Sequence, residues 1–212
     1  MSTVNNAAIA ALQQQLSPHI PEAATAYVAT LINKCHPVSI KLTRGRLTKL
    51  GDYRHPFRGS EHKITVNADL NKYSFLITLL HEIAHLTCWN KYKNDVAPHG
   101  IEWKRDFKWI LEPVMLPAIF PPDILHALER YLKNPAASSC TDDHLYKVLK
   151  RYDRVSDTPT RFVEDLPNNS TFQLENGLTL IKGPKLRKRF ECREVNTGKI
   201  YLVSPIAEAV LV

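Results

Sequence analysis

The chain has 212 residues, enough for one domain with a buried core and a small appendage, which excludes a peptide effector or a disulfide-stapled miniprotein. Hydrophobic residues at 44% and charged residues at 23% are an ordinary globular balance and exclude wholesale disorder or a fibrous repeat. The formal net charge of +7 points toward an anionic partner such as nucleic acid.

Taken in chain order, AAIAALQQQL and then PEAATAYVATLINK, entered through Pro21, predict two helices. HPVSIKLT alternates with Val38, Ile40 and Leu42 on one face, and KLGDYRHPF and HKITVNADL follow as further short strands. Together these predict a small antiparallel sheet. The run from Lys72 to about Asn90 is apolar on nearly every face, so it predicts a central helix covered on most sides. GIEWKRDFKWILEPV, PPDILHALERYLKN and CTDDHLYKVLKRYD predict three more helices. Beyond Asp153 the chain turns β-rich. QLENGLTLI carries a two-residue hairpin signal at Asn-Gly, and KLRKRFECREVNTGKIYLVSP reads as a second hairpin turning at Asn196 to Gly198. The fold expected is α+β: a compact core of a short antiparallel sheet plus helices over residues 1–135, then a helix and a basic β-hairpin appendage over 136–212.

The positive charge is concentrated. Residues 34–63 carry eight Lys and Arg against Asp52 and Glu61, and residues 182–193 carry six against Glu191. Arg44, Arg46, Lys49, Arg54 and Arg58 in the first window, and Lys185, Arg187, Lys188 and Arg189 in the second, are the candidate nucleic-acid contacts. Tyr53, His55, Phe57 and Phe190 are interleaved among them as rings on which bases could stack. A solvated basic face is the plain competing reading. No stretch has the length of a membrane span, the start lacks a basic region ahead of an apolar one, and four scattered cysteines suit reduced thiols; the expectation is a cytoplasmic protein, nucleoid-associated if bacterial, with no membrane partner.

His81-Glu82-Ile83-Ala84-His85 is the most specific feature. Two histidines four apart on a helix share a face and can hold one zinc ion, while Glu82 is placed to act as general base toward an attacking water. Two buried core histidines beside a carboxylate would each need a partner, which makes a purely structural reading costly. A catalytic zinc takes three protein ligands. The metzincin continuation is absent, since Cys88 and Lys91 stand where its glycine and third histidine would be. Glu102, Glu112 and His99 are the third-ligand candidates. His99 is the best placed, beyond a loop long enough to reverse direction, whereas Glu102 reads more simply as a first-turn helix carboxylate.

The stretch HEIAHLTCWNKYKNDVAPHGIEW resembles the core of the SprT-like zinc metalloproteases, bacterial SprT and eukaryotic Spartan among them: H-E-x-x-H, a loop, then H-G-x-E and an aromatic residue. The resemblance extends over roughly residues 30–135 and implies a minimal zincin-like core, zinc held by His81, His85 and His99, and Glu82 as general base. It also implies proteolysis of DNA-associated proteins, with DNA, including single-stranded DNA, as a partner. Bacterial members end in a cysteine-rich zinc ribbon, and here the tail offers only Cys192, with Cys140 and His144 upstream, so no ribbon can be assembled.

Two other readings stand beside a zinc endopeptidase. One is a DNA- or transcription-associated stress-response protein whose zinc is structural, which would need a fourth protein ligand; Cys88 shares the helix but suits a small buried residue better. The other is a zinc hydrolase that does not act on peptides. No spacing assigns an oxyanion-stabilising residue, although Tyr53 and His55 are available.

Overall fold

The computed structural model describes residues 6–46, 49–135, 142–154 and 160–212. The chain divides into two compact units, Met1–Asp153 and Arg154–Val212. In the first, α1 (Asn6–Leu16) and α2 (Glu22–Lys34) precede three strands, β1 (Val38–Thr43), β2 (Gly51–Arg54) and β3 (His62–Asn67). Then come α3 (Lys72–Tyr92), α4 (Ile101–Leu111), α5 (Pro122–Tyr131) and α6 (Asp143–Lys150).

α3 is the axis of this unit. Phe75, Leu76, Ile77, Leu79, Leu80, Ile83 and Leu86 are all buried, so the helix is covered nearly all round, as its unbroken apolar composition predicts. Each such side chain contributes about 1.5–3 kcal/mol on burial. β2, β3 and α4 pack directly on it. Its entry is fixed by Asn71, whose Oδ1 accepts from the backbone N–H groups of Tyr73 and Ser74 while its Nδ2 donates to Leu149 O and Asp153 Oδ1.

The sheet differs from the antiparallel one expected. Its order is β1-β3-β2, with β1 parallel to β3 and only β2 antiparallel to it. Residue alternation reports which face of a strand is buried and says nothing of strand order. The segment after β1 is tied to the end of β3 by Arg46, whose Nε and Nη2 donate to Asn67 Oδ1 and Thr65 Oγ1, so the chain returns and lays β2 on the far side of β3.

The boundary expected after residue 135 also moves. Leu145, Val148 and Leu149 of α6 are buried in the same core as Ile124 and Leu128 of α5, and Asn71 holds the residues that follow α6. The apolar face of α6 is therefore part of the first unit, which runs on to Asp153.

The second unit is more than a hairpin. β4 (Arg161–Phe162), β5 (Thr171–Leu174), β6 (Thr179–Leu186), β7 (Arg189–Glu194), β8 (Ile200–Val203) and β9 (Glu208–Leu211) form one sheet in the order β4-β9-β5-β6-β7-β8, with every pairing antiparallel. Val163, Phe172, Leu180, Phe190, Cys192 and Val203 make its own core. The Asn-Gly turn is a three-residue loop: Leu174 N–H bonds Leu178 O, Gly177 N–H bonds Leu174 O, and Gly177 supplies the left-handed φ of +83° that closes it. Among the described residues no helix is long and apolar enough to cross a membrane.

Asn71→Ala removes both the cap of α3 and the tie to the end of α6. It is expected to lower unfolding stability by about 2 kcal/mol, read as a shift of the urea midpoint at unchanged slope.

Candidate metal centre

His81 and His85 lie one turn apart on α3, and His99 comes from the loop before α4. Their ligand atoms lie within 4.8 Å of one another. His81 Nε2 stands 3.2 Å from His85 Nε2 and 3.2 Å from His99 Nε2. An imidazole nitrogen carries one proton or one lone pair, so hydrogen bonding among three of them leaves at least one badly matched, whereas a shared cation takes a lone pair from each. Burial pushes His81 down to about 2 and His85 to about 4, and lowers His99 as well, with the neighbouring histidines reinforcing the effect at His81 and His85. All three rings are therefore neutral near pH 7, the form that binds metal. Among the described residues Glu102, Glu112 and Cys88 do not join the group. Cys88 belongs to the hydrophobic core instead, its thiol pushed up chiefly by burial.

The loop delivers His99 at a conformational cost. Its φ of +58° lies in the left-handed region, worth about 1–3 kcal/mol of strain for a residue with a Cβ. Gly100, next to it, is where the chain passes tightly: a Cβ there would sit 2.9 Å from Ala97 O. Trp103, one turn into α4, packs against all three rings, with centroids 4.6 Å from His81, 5.3 Å from His85 and 4.7 Å from His99. The helical spacing marks Trp103 as a core residue; nothing in that spacing shows that the core it fills is the wall of the histidine cluster.

Glu82 faces β2. Burial, then the Asp52 carboxylate, raises it to about 8, against the opposing pull of Arg46, Lys49 and the backbone N–H of Tyr53 that hydrogen-bonds it. β2 approaches so closely that a Cβ on Gly51 would sit 2.6 Å from Glu82 Oε1 and 2.7 Å from Thr78 Cγ2. In the sequence Gly51 marks only a break between strands; its function as a spacer beside a carboxyl group depends on strand order. Tyr53 is equally occupied. Its ring lies parallel to His85 at 6.2 Å, and its hydroxyl is 2.9 Å from His62 Nδ1. His55 stacks on Trp89 at 5.5 Å. Neither Tyr53 nor His55 carries an oxyanion assignment.

The model of the SprT-like family matches residues 22–118. Over these residues the chain is similar to the SprT-like family. The matched span takes in α2, the three-stranded sheet, α3 and α4, and so every member of the histidine cluster. No curated protein and no solved structure matches the chain.

The basic candidates scatter. Arg46 is spent on Asn67 and Thr65, while Lys49 and Arg54 both pair with Asp52. Arg44 and Arg58 are exposed, and Arg58 lies 5.2 Å from the centroid of the Phe57 ring, itself 66% exposed. In the second unit Phe190 and Lys182 are buried, and Lys182 Nζ donates to the carbonyls of Glu164 and Leu166. Lys185, Arg187, Lys188 and Arg189 remain exposed at the β6–β7 turn. Cys140 lies outside the described residues, and Cys192 is in the core of the second unit.

His99→Gly separates ligation from folding. Glycine accepts the left-handed backbone, so stability of the metal-free chain is expected to stay within about 1 kcal/mol of the parent. The rise in melting temperature produced by zinc in the parent is expected to be lost, as calorimetry with and without the ion would show.

Proposed function

We propose that the chain is a zinc-dependent endopeptidase. The observation that carries this reading is a three-nitrogen cluster, open to a fourth ligand among the described residues, with a buried carboxyl group next to it in sequence. Structural zinc sites are closed by four protein ligands, and catalytic sites keep a position free. The likeness of residues 22–118 to the SprT-like family, which is associated with metalloprotease activity, supports the same reading.

His81, His85 and His99 would hold the ion. Bound there, zinc would supply Lewis acidity toward a peptide carbonyl and toward water. Glu82 would accept the proton of the attacking water and return it to the leaving nitrogen. Its side chain is held for that task by Tyr53 N–H against the close passage of Gly51. Trp103 and Tyr53 would restrict rotation of the imidazoles.

The substrates proposed are DNA-associated proteins. Support comes from the net charge of +7 and from Phe57, an exposed ring with the Arg58 guanidinium over it, which would offer a single-stranded nucleic acid a stacking surface and a positive charge together.

Glu82→Gln is expected to retain one zinc per chain and to lose cleavage of a basic DNA-binding protein by about 100-fold or more. Undiminished cleavage with zinc retained would refute the assignment. Gly51→Ala, which forces Glu82 aside without touching a ligand, is expected to behave likewise in weaker form: zinc stoichiometry unchanged, turnover down about tenfold or more. Phe57→Ala is expected to abolish stimulation by a single-stranded oligonucleotide while leaving DNA-independent cleavage unchanged.

A further inference from the structure

β8 is an edge of the second unit's sheet. It pairs with β7 through Phe190↔Val203, Glu191↔Leu202, Cys192↔Tyr201 and Arg193↔Ile200. Glu194 N–H bonds Lys199 O, and antiparallel ladders alternate, so Tyr201 and Val203 turn their backbone groups toward β7 while Ile200 and Leu202 turn theirs outward. The side chains of Ile200 and Leu202 lie on the sheet face opposite the core, 46% and 54% exposed. Leu186, paired with Arg189, extends this apolar strip and is 43% exposed. A cleft of about 340 Å³ is lined by Leu186, Arg187, Lys188, Arg189 and Leu202.

Natural sheet edges are usually blunted by proline, by charged side chains on the edge strand or by a bulge. β8, Ile-Tyr-Leu-Val, is short, but it has none of these. Among the described residues its outward carbonyl at Leu202 is met by a side chain, Arg189 Nη1, at 3.3 Å. That is a weak, exposed contact which an incoming backbone N–H could replace.

We propose that β8 is a docking edge for an extended acidic peptide segment of another protein, which adds as a seventh strand beside β8. Its backbone would pair with the outward groups of Ile200 and Leu202, an apolar side chain would enter the cleft between Leu186 and Leu202, and flanking carboxylates would meet Arg187, Lys188 and Arg189. Charge complementarity selects this occupant. A second copy of the same edge, Ile-Tyr-Leu-Val, carries no carboxylate to meet these cations. A nucleic acid would use the cations but leave the aliphatic strip and the open backbone groups without a function, and the aromatic rings of the region, buried Phe190 and half-buried Tyr201, both pack toward the core on the other face. The proposal uses nothing of the histidine cluster and stands whether or not the chain is a peptidase.

The test uses the full chain, labelled with nitrogen-15, and a fluorescein-tagged eight-residue peptide alternating Glu or Asp with Val or Ile. An otherwise identical Lys-for-acid peptide and a (dT)20 oligonucleotide serve as comparisons. Expected are binding of the acidic peptide alone, slowed hydrogen exchange at the Ile200 and Leu202 amides, and little change at Tyr201. Arg187→Glu with Lys188→Glu should weaken binding by roughly tenfold or more. Leu202→Pro removes an outward donor without breaking the β7 ladder, so it should abolish binding while circular dichroism stays that of the parent. Binding that survives both variants, equal binding of the Lys peptide, protection elsewhere, no binding of the acidic peptide, or (dT)20 binding that displaces it would each overturn the proposal.

Discussion

Everything in the first unit follows from one constraint: α3 is buried on nearly all sides yet carries two imidazoles and a carboxyl group on its middle turns. Polar groups inside a core must be satisfied locally. The surrounding elements meet that demand from two directions. The loop before α4 brings a third imidazole and α4 brings Trp103, while β2 brings the Tyr53 N–H and the glycine that leaves space for Glu82. The parallel β1–β3 pairing gains its meaning here, because it puts β2, and not β1, at the strand position that packs on α3 beside the carboxyl group.

Local and non-local features of the fold differ in how far the sequence reveals them. Composition and spacing carried the helices, the buried axis and the motif on it, since three-and-four periodicity and an H-E-x-x-H spacing are local. The placement of His99 was legible because a loop of that length reverses the chain and Gly100 opens a helix. Strand order was not legible, and with it went the function of Gly51 and Tyr53, both of which touch α3 only because β2 lies outside β3. The boundary after residue 135 was misplaced for a related reason: whether the apolar stripe of α6 belongs to the preceding or the following unit is decided by the surface that receives it.

The second unit shows how charge density can mislead. Its basic run looked like a stretch of cations with an aromatic ring among them, and the register separates the two. Phe190 and Lys182 face the core, where the ammonium lies 4.3 Å from the ring centroid and satisfies two carbonyls, while Lys185, Arg187, Lys188, Arg189 and Arg193 stay exposed. A lysine can thus count toward net charge and still be an internal brace.

β9 lies one strand in from the other edge of that sheet, between β4 and β5. Its pairing joins Arg161 to Ala209, the greatest sequence separation in a unit otherwise built from neighbouring hairpins. Loop-closure entropy makes this pairing costlier to form than the hairpins of the β5–β8 meander. Residues 208–211 therefore do for β5 what a covering strand must do: they occupy the edge beside Phe172 that would otherwise be open to pairing with other chains.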